Sequence, residues 1–224
     1  DNGARVVRLV SHNDEIVRPD PGFALWDRGK EVVMIDSDDL ETLHKLSPLA
    51  DVVIEDIAPG FEKEVMFRAA ATANPNLIRC TISAYGNAGP LFDEPADHDL
   101  VMARMGILAS QPSFRGGPIP VMHPVAGIGA GLLAALGVTA ALLHRERTGA
   151  AQRVETSLMA GALLYSPKAI GDNMQPRSMM MSPAGGGPFY SVFECSDGEW
   201  IQLGCIHSGF VDLAASVLGI AHLM

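Results

Sequence analysis

Short apolar runs alternate with amphipathic stretches along most of the chain. The apolar runs are rich in valine and isoleucine and end in polar or glycine-containing turns, a pattern typical of buried strands. Strands that alternate with helices at this spacing indicate βαβ units around a mainly parallel sheet with flanking helices, an α/β fold. The predicted strands are 3–10, 31–36, 51–55, 77–83 and 152–158, and the predicted helices between and after them are 37–48, 62–73, 99–108 and 158–170.

Residues 124–148 are predicted to form the central helix of the domain. Basic residues at 144–147 suit a helix C-terminus, and Gly149 suits the left-handed residue that follows it. Because a helix this apolar is normally covered on all sides and its uninterrupted part is short for a membrane span, we expect it to be buried. One face is small enough for another backbone to approach closely, and leucines suit a buried stripe. The small face consists of Gly129, Leu133, Gly137 and Ala141, and the stripe of Leu132, Leu133, Leu136 and Leu143.

The pattern changes towards the C-terminus. A loop containing the triplet Gly185, Gly186 and Gly187 is followed by two apolar strands around an Asp197-Gly198 turn, and then by a helix at 210–218. We therefore predict a large domain over 1–184 and the beginning of a smaller, incomplete α+β domain over 185–224. The glycine triplet is either a flexible lid over a site or a domain linker.

Charge and cysteine content narrow the function classes. The formal net charge of −10 excludes nucleic-acid binding through a basic face. Cys80, Cys195 and Cys205 have neither metal-site nor disulfide spacing, and the histidines are not clustered like metal ligands, so no metal is expected. A reducing, cytoplasmic location is the resulting expectation, since the first residues also lack the apolar segment of a signal peptide.

Ligands of open parallel sheets bind beyond the carboxyl ends of the strands. The loops after Val10, Glu55 and Ser83 are therefore the candidate ligand-binding loops. Gly86 would let a ligand approach the backbone of the third loop. The glycines at 127, 129 and 131 imitate a dinucleotide fingerprint. They follow a proline-rich stretch and not a strand, so no dinucleotide site is expected.

Several of these segments, in the same order along the chain, resemble family III CoA-transferases, the CaiB/BaiF group that includes CoA-transferases and α-methylacyl-CoA racemases. The most specific part combines the central helix, the RERTG corner at 145–149 and the strand at 152–158. The resemblance implies a Rossmann-like large domain, a small domain and an interlocked dimer. It also implies that the family's first strand and helix and its C-terminal part lie outside this sequence. Further matching segments are 3–7, 51–60, 74–78, 83–86, 97–100 and the 197–198 turn.

The resemblance also implies a mechanism. In the family an aspartate at the start of the central helix attacks an acyl-CoA thioester and forms a mixed anhydride, so that CoA is a substrate and no cofactor is bound permanently. Counted back from Thr148-Gly149, the position of that aspartate is Gly127. Because glycine has no side chain, we expect this chain's own site to be impaired.

The same matching assigns positions that contact CoA or the substrate. Arg28 and Lys30 are the remaining bases that could meet phosphates, although each could equally be a surface base. Departures from the family reduce positive charge: Asp56 stands where asparagine is frequent, and Ser11 and Glu64 stand where bases occur. Positions carried over as CoA-binding are Arg28, Lys30, Asp56, Pro59, Tyr85 and Gly86.

His98 is the one matched side chain with proton-transfer chemistry. The racemase branch has a histidine here that moves the proton α to the thioester, whereas the transferase branch commonly has tyrosine. The structural alternative is a loop or capping histidine beside Asp99. A racemase also needs an opposing carboxylate, which is again the side chain missing at Gly127.

Three hypotheses follow. The first is an acyl-CoA transferase that acts on acyl-CoA and carboxylic acids. The second is a non-catalytic subunit or half that pairs, as a homodimer or a heteromer, with a related chain carrying the aspartate. The third is a racemase-like enzyme that uses His98 with a relocated acid. We favour membership in a CoA-transferase assembly with an impaired own site, and expect neither nucleic-acid nor membrane partners.

Overall fold

The computed structural model describes residues 3–11, 25–35, 40–56, 74–108, 119–165 and 185–223. The predicted helix at 62–73 and the second half of the one at 158–170 lie outside these ranges. The strands are β1 (Val6–Ser11), β2 (Lys30–Ile35), β3 (Val52–Asp56), β4 (Ile78–Ser83), β5 (Arg153–Ser157), β6 (Gly185–Gly187), β7 (Tyr190–Glu194) and β8 (Trp200–Gly204). The helices are α1 (Leu40–Leu46), α2 (His98–Arg104), α3 (Val125–Thr148), α4 (Leu158–Tyr165) and α5 (Ser208–Val217), with 3-10 turns at Ser47–Leu49 and Ala221–Leu223.

The density of contacts divides the chain into two compact units. The first comprises residues 1–81 and 136–155, and the second comprises 82–135 and 156–224. Along the chain, β4, β5 and α3 each begin in one unit and end in the other. The predicted boundary at 184/185 is a different kind of division, and it stays a prediction.

The first unit contains two sets of strands. β1 and β2 pair in parallel from Val6↔Lys30 to Ser11↔Ile35. In the other set, the order is β3-β4-β5. The Ile78 N–H donates to Asp51 O at 3.1 Å and the Thr81 hydroxyl donates to Glu55, so β3 and β4 run in the same direction. The predicted mainly parallel sheet is thus confirmed.

The β4 strand forms the core of this set. Ile78, Cys80 and Thr81 are completely buried. Burial of consecutive residues means that both faces of β4 are covered, as in the central strand of an α/β sheet.

The C-terminal half of α3 is anchored to the first unit at two points. A Cβ on Gly137 would lie 2.6 Å from Val154 Cγ1, so the helix packs directly on β5. The Arg145 guanidinium donates to Asn76 O at 2.7 Å and to the Asp51 carboxylate at 2.9 Å. The helix ends as predicted, because Gly149 has φ +75° and its N–H donates to Arg145 O.

The N-terminal half of α3 packs closely against α4 within the second unit. A Cβ on Gly129 would lie 2.4 Å from Gly161 O, and a Cβ on Gly161 would lie 2.2 Å from Ala126 O. Ala126, Ala130 and Ala134 are buried on the same side. The predicted close approach of another backbone to the small face is confirmed.

The predicted burial of the leucine stripe is wrong for three of its four residues, whereas Leu133 is half-buried. Leu132, Leu136 and Leu143 are 61%, 69% and 47% exposed. The small residues face inwards because they permit the closest backbone contact, and this leaves these three leucines outside. By length and composition α3 could cross a membrane, and 28% of its most apolar window is buried.

The last part of the second unit is an antiparallel sheet in the order β6-β7-β8, followed by α5. The hairpin turn is at Asp197-Gly198 as predicted, where Glu199 N–H donates to Asp197 Oδ1 at 3.1 Å. The loop predicted at the glycine triplet is wrong for these three residues, because Gly185 and Gly187 pair with β7 and Gly187 O accepts from Ser191. Their role as a lid stays a prediction.

Candidate functional site

The turn after β4 positions Tyr85 and Gly86 in the second unit. The Gly86 N–H donates to Ser83 Oγ at 2.9 Å, which closes a tight turn at the carboxyl end of the strand. Gly86 has φ +105°, a backbone conformation that residues with a side chain rarely adopt. Ala84 O accepts from the Met159 N–H at 3.0 Å, so the turn is fixed to the start of α4.

Tyr85 is only 6% exposed and belongs to a buried cluster with Val101, Met102 and Ala126. Its ring lies under Arg104, whose guanidinium carbon is 5.7 Å from the ring centroid. The Tyr85 hydroxyl is buried and has no hydrogen-bond partner among the described residues. Since buried phenol hydroxyls normally have a partner, this group is an exception among the described residues.

His98 is the first residue of α2, and its environment argues against the capping alternative. The cap is Asp97, whose carboxylate accepts from the Leu100 N–H at 2.8 Å. His98 Nε2 is buried and, within the described part of the chain, has no hydrogen-bond partner. His98 shares a helix face with Val101 and Met102, which belong to the Tyr85 cluster.

Gly127 lies in the first turn of α3, between buried Ala126 and exposed Ile128. A Cβ on Gly127 would have no atom of the described residues within 4 Å. The Cβ of an aspartate would therefore meet no described neighbour here, and its charge would be favoured by the helix N-terminus.

The predicted phosphate partners Arg28 and Lys30 lie in the first unit. Lys30 forms an ion pair with Asp27 at 3.3 Å, and Asp27 also pairs with Arg8. Part of the positive charge of Lys30 is therefore already balanced. Arg28 is exposed.

Asp56 is the exposed last residue of β3 in the first unit. Its buried neighbour Glu55 is held by Arg79 and by the Thr81 hydroxyl. Pro59 and Glu64 lie outside the described residues. The binding roles of Asp56 and Pro59 stay predictions.

The described structure thus assigns the predicted site residues to separate groups. Tyr85, Gly86, His98 and Gly127 belong to the second unit. A shallow cavity of about 500 Å³ in the first unit contains none of the predicted residues; it is lined by Asp51, Asn76, Leu142, Arg145, Glu146 and Gly149. Within the described ranges, no group of three or more side chains could hold a metal ion.

Sequence reasoning missed Arg104 and its partner Glu94, which lie 3.1 Å apart. No motif marks them. The one available signal is that α2 is short and begins soon after the Tyr85 turn, so that its last turn can fold back onto that turn.

A sequence model of CoA-transferase family III matches residues 1–224. Alpha-methylacyl-CoA racemase from Mus musculus is 29% identical over 98% of this chain and 59% of its own length. (R)-2-Hydroxy-4-methylpentanoate CoA-transferase from Clostridioides difficile is 33% identical over 83% of this chain and 48% of its own. The chain therefore spans about half of the length of these relatives.

Some relatives are named as subunits. The beta subunit of succinyl-CoA–L-malate CoA-transferase from Chloroflexus aurantiacus is 29% identical over 76% of this chain and 44% of its own length. The corresponding alpha subunit is 28% identical over 72% of this chain and 39% of its own.

The fold has a counterpart among solved structures. A CAIB/BAIF family protein from Brucella suis superimposes with a TM-score of 0.75 at 24% identity, over 99% of this chain and 64% of that one. With a family match over the whole chain and the same fold in a solved family member, this chain belongs to CoA-transferase family III.

Proposed function

We propose that this chain is a family III CoA-transferase-type protein that acts on acyl-CoA thioesters and carboxylic acids, and that its own site lacks the nucleophile. The observation that carries the proposal is Gly127, in the first turn of α3, with open space where a side chain would be. Membership in the family supports acyl-CoA as the substrate class. The free thiols of Cys80, Cys195 and Cys205 support a cytoplasmic location.

The missing step is a specific one. A carboxylate oxygen would attack the thioester carbonyl carbon, the carbon–sulfur bond would break, and CoA would leave as the thiolate. Gly127 offers no carboxylate for this attack. Acyl-CoA would therefore bind to this chain without forming a mixed anhydride on it.

Restoring the carboxylate tests the proposal. Gly127→Asp in the full-length protein should raise exchange of labelled acid into acyl-CoA at least about 100-fold over wild type, because loss of a nucleophile costs more than this in other covalent enzymes. A hydroxylamine-sensitive adduct should appear with the activity. Gly131→Asp is the matched control, since Gly131 also lies on α3 in open space.

Two outcomes would contradict the proposal. The first is an adduct on the wild-type chain by itself, and the second is a Gly127→Asp variant that stays as inactive as Gly131→Asp. Incubation of the same wild-type protein with a branched acyl-CoA in D₂O tests the racemase hypothesis. Exchange at the α-carbon that disappears in His98→Ala would favour the third hypothesis. Its support is that His98 Nε2 is buried and has no hydrogen-bond partner among the described residues.

A second candidate function is that of a non-catalytic subunit. It would form an interlocked dimer with a related chain that supplies the aspartate. The exposed leucines of α3 support a partner on that side of the helix, and relatives named as alpha and beta subunits supply the precedent. Co-isolation with an aspartate-bearing chain would favour this function, whereas a purified homodimer would contradict the heteromer.

A further inference from the structure

We infer that Arg104, held by Glu94, is a positioning residue that fixes the Tyr85 ring so that the Tyr85 hydroxyl is presented to the acyl oxygen of a bound acyl-CoA. The inference rests on the proposed function for the identity of the ligand. It adds a residue that no motif of the sequence marks, and it concerns the second unit alone.

The first step is the placement of Arg104. It is the last residue of α2, and its guanidinium carbon lies 5.7 Å from the centroid of the Tyr85 ring. A guanidinium at this distance is attracted by the negative face of an aromatic ring. Glu94 restrains the guanidinium through an ion pair at 3.1 Å.

The second step is the confinement of the ring. Tyr85 is part of the cluster with Val101, Met102 and Ala126, and Arg104 covers its ring as well. A phenol ring held by an apolar cluster and by a cation loses most of its freedom to tilt. The direction of its hydroxyl is therefore set before any ligand arrives, which reduces the entropic cost of binding.

The third step is that two buried polar groups lack a hydrogen-bond partner among the described residues. The Tyr85 hydroxyl and His98 Nε2 are both buried without a partner among the described residues. Leaving a buried polar group unpaired is costly, so a ligand atom that pairs with it gains affinity. A phenol hydroxyl donates well to a carbonyl or carboxylate oxygen, which is the group that distinguishes acyl-CoA from CoA.

The fourth step is the link between the two groups. α2 carries His98 at its first residue and Arg104 at its last, and its middle residues Val101 and Met102 are buried against the Tyr85 cluster. Arg104 and Glu94 are neutral as a pair, so that their contribution is to orientation and not to net charge. This is why Arg104 is a positioning residue and not a catalytic one.

The test compares binding of acetyl-CoA with binding of CoA, measured by calorimetry on the full-length protein. Arg104→Met should weaken the binding of acetyl-CoA about threefold to tenfold, the range of one hydrogen bond, and leave the binding of CoA unchanged. Tyr85→Phe should have the same selective effect, and the double variant should be no weaker than Tyr85→Phe alone. Arg104→Lys should retain most of the affinity, since it keeps a cation over the ring.

Arg153→Met is the matched control, because Arg153 forms an ion pair with Glu155 at 2.6 Å and has nearly the same exposure as Arg104, 46% against 45%. It should change neither affinity. Because Arg104→Met could unfold α2, Glu94→Gln is a second variant that leaves the Arg104 side chain intact. It should cause a smaller loss of affinity, and for acetyl-CoA alone. Equal weakening of CoA and acetyl-CoA by Arg104→Met, or no weakening of either, would overturn the inference while leaving the proposed function standing. Wild-type protein that binds neither compound would overturn both.

Discussion

At the scale of single residues, Cys80 shows how burial controls a titratable group. It lies in β4 between Arg79 and Thr81, and its side chain is completely buried. Burial raises the pKa of the Cys80 thiol above its ordinary value of 9.0, and the Glu55 carboxylate raises it further. The thiol is therefore neutral and unreactive in the folded protein.

The raised pKa of Cys80 predicts a decline of stability at high pH. Between the ordinary pKa of 9.0 and the higher folded one, the unfolded chain releases the thiol proton while the folded chain keeps it. The free energy of unfolding should thus hold its full value below pH 9.0 and fall above it. Urea unfolding at a series of pH values should show this fall in wild type and a shallower one in Cys80→Ala; identical slopes would contradict the prediction.

At the scale of elements, α3 depends on glycines that have different surroundings. Gly129 and Gly161 bring the backbones of α3 and α4 together, whereas Gly131 faces open space. Periodicity marks all of these positions equally as small. The contrast among them comes from packing, and it can be tested with the same substitution.

Gly161→Ala should destabilise the protein by about 3 kcal/mol, because its methyl group would lie 2.2 Å from Ala126 O and the backbone must move. Gly131→Ala should instead stabilise it by about 0.5 kcal/mol, since alanine is the better helix former and nothing is displaced. Chemical denaturation of the two variants measures both effects. Equal effects at the two positions would show that the close contact is absent.

The sequence predicts elements better than it predicts the faces of elements. The alternation of apolar runs and helical stretches places β1 to β5, α3 and the β7-β8 hairpin close to their observed ends. It does not show which side of α3 faces inwards, because glycine, alanine and leucine all satisfy an apolar pattern and only close packing separates them. The leucine stripe was assigned inwards for that reason.

In the candidate site, too, the sequence predicts some residues, and packing decides the others. Tyr85, Gly86, His98 and Gly127 can be marked by their resemblance to family positions. Arg104 has no matching family position, and its contact with Tyr85 is seen only once α2 is folded back onto the Tyr85 turn. The pairing of Lys30 with Asp27 is likewise a product of the fold.

At the scale of the whole molecule, the exposed leucines of α3 predict an assembly surface. Leu132→Glu combined with Leu136→Glu should leave the free energy of unfolding of the chain within about 0.5 kcal/mol, as for other exposed positions. It should, however, abolish the oligomer of the full-length protein, because a charged group in an apolar interface is not solvated. Light scattering measures the oligomer. Leu100→Glu, at an exposed leucine on α2, is the control and should leave the assembly intact.

A double variant that assembles like wild type would show that this surface is not the interface. A monomeric wild-type protein would show the same.

The open space around Gly127 also bears on the history of the chain. When a catalytic side chain is lost and neighbours grow into its place, a return is blocked, since restoring the residue then requires several compensating changes. Among the described residues, no atom lies within 4 Å of a Cβ at Gly127, so no described neighbour has grown into that position. One amino-acid substitution separates this chain from one with an aspartate at this position. The loss proposed for Gly127 would therefore be reversible by this one substitution.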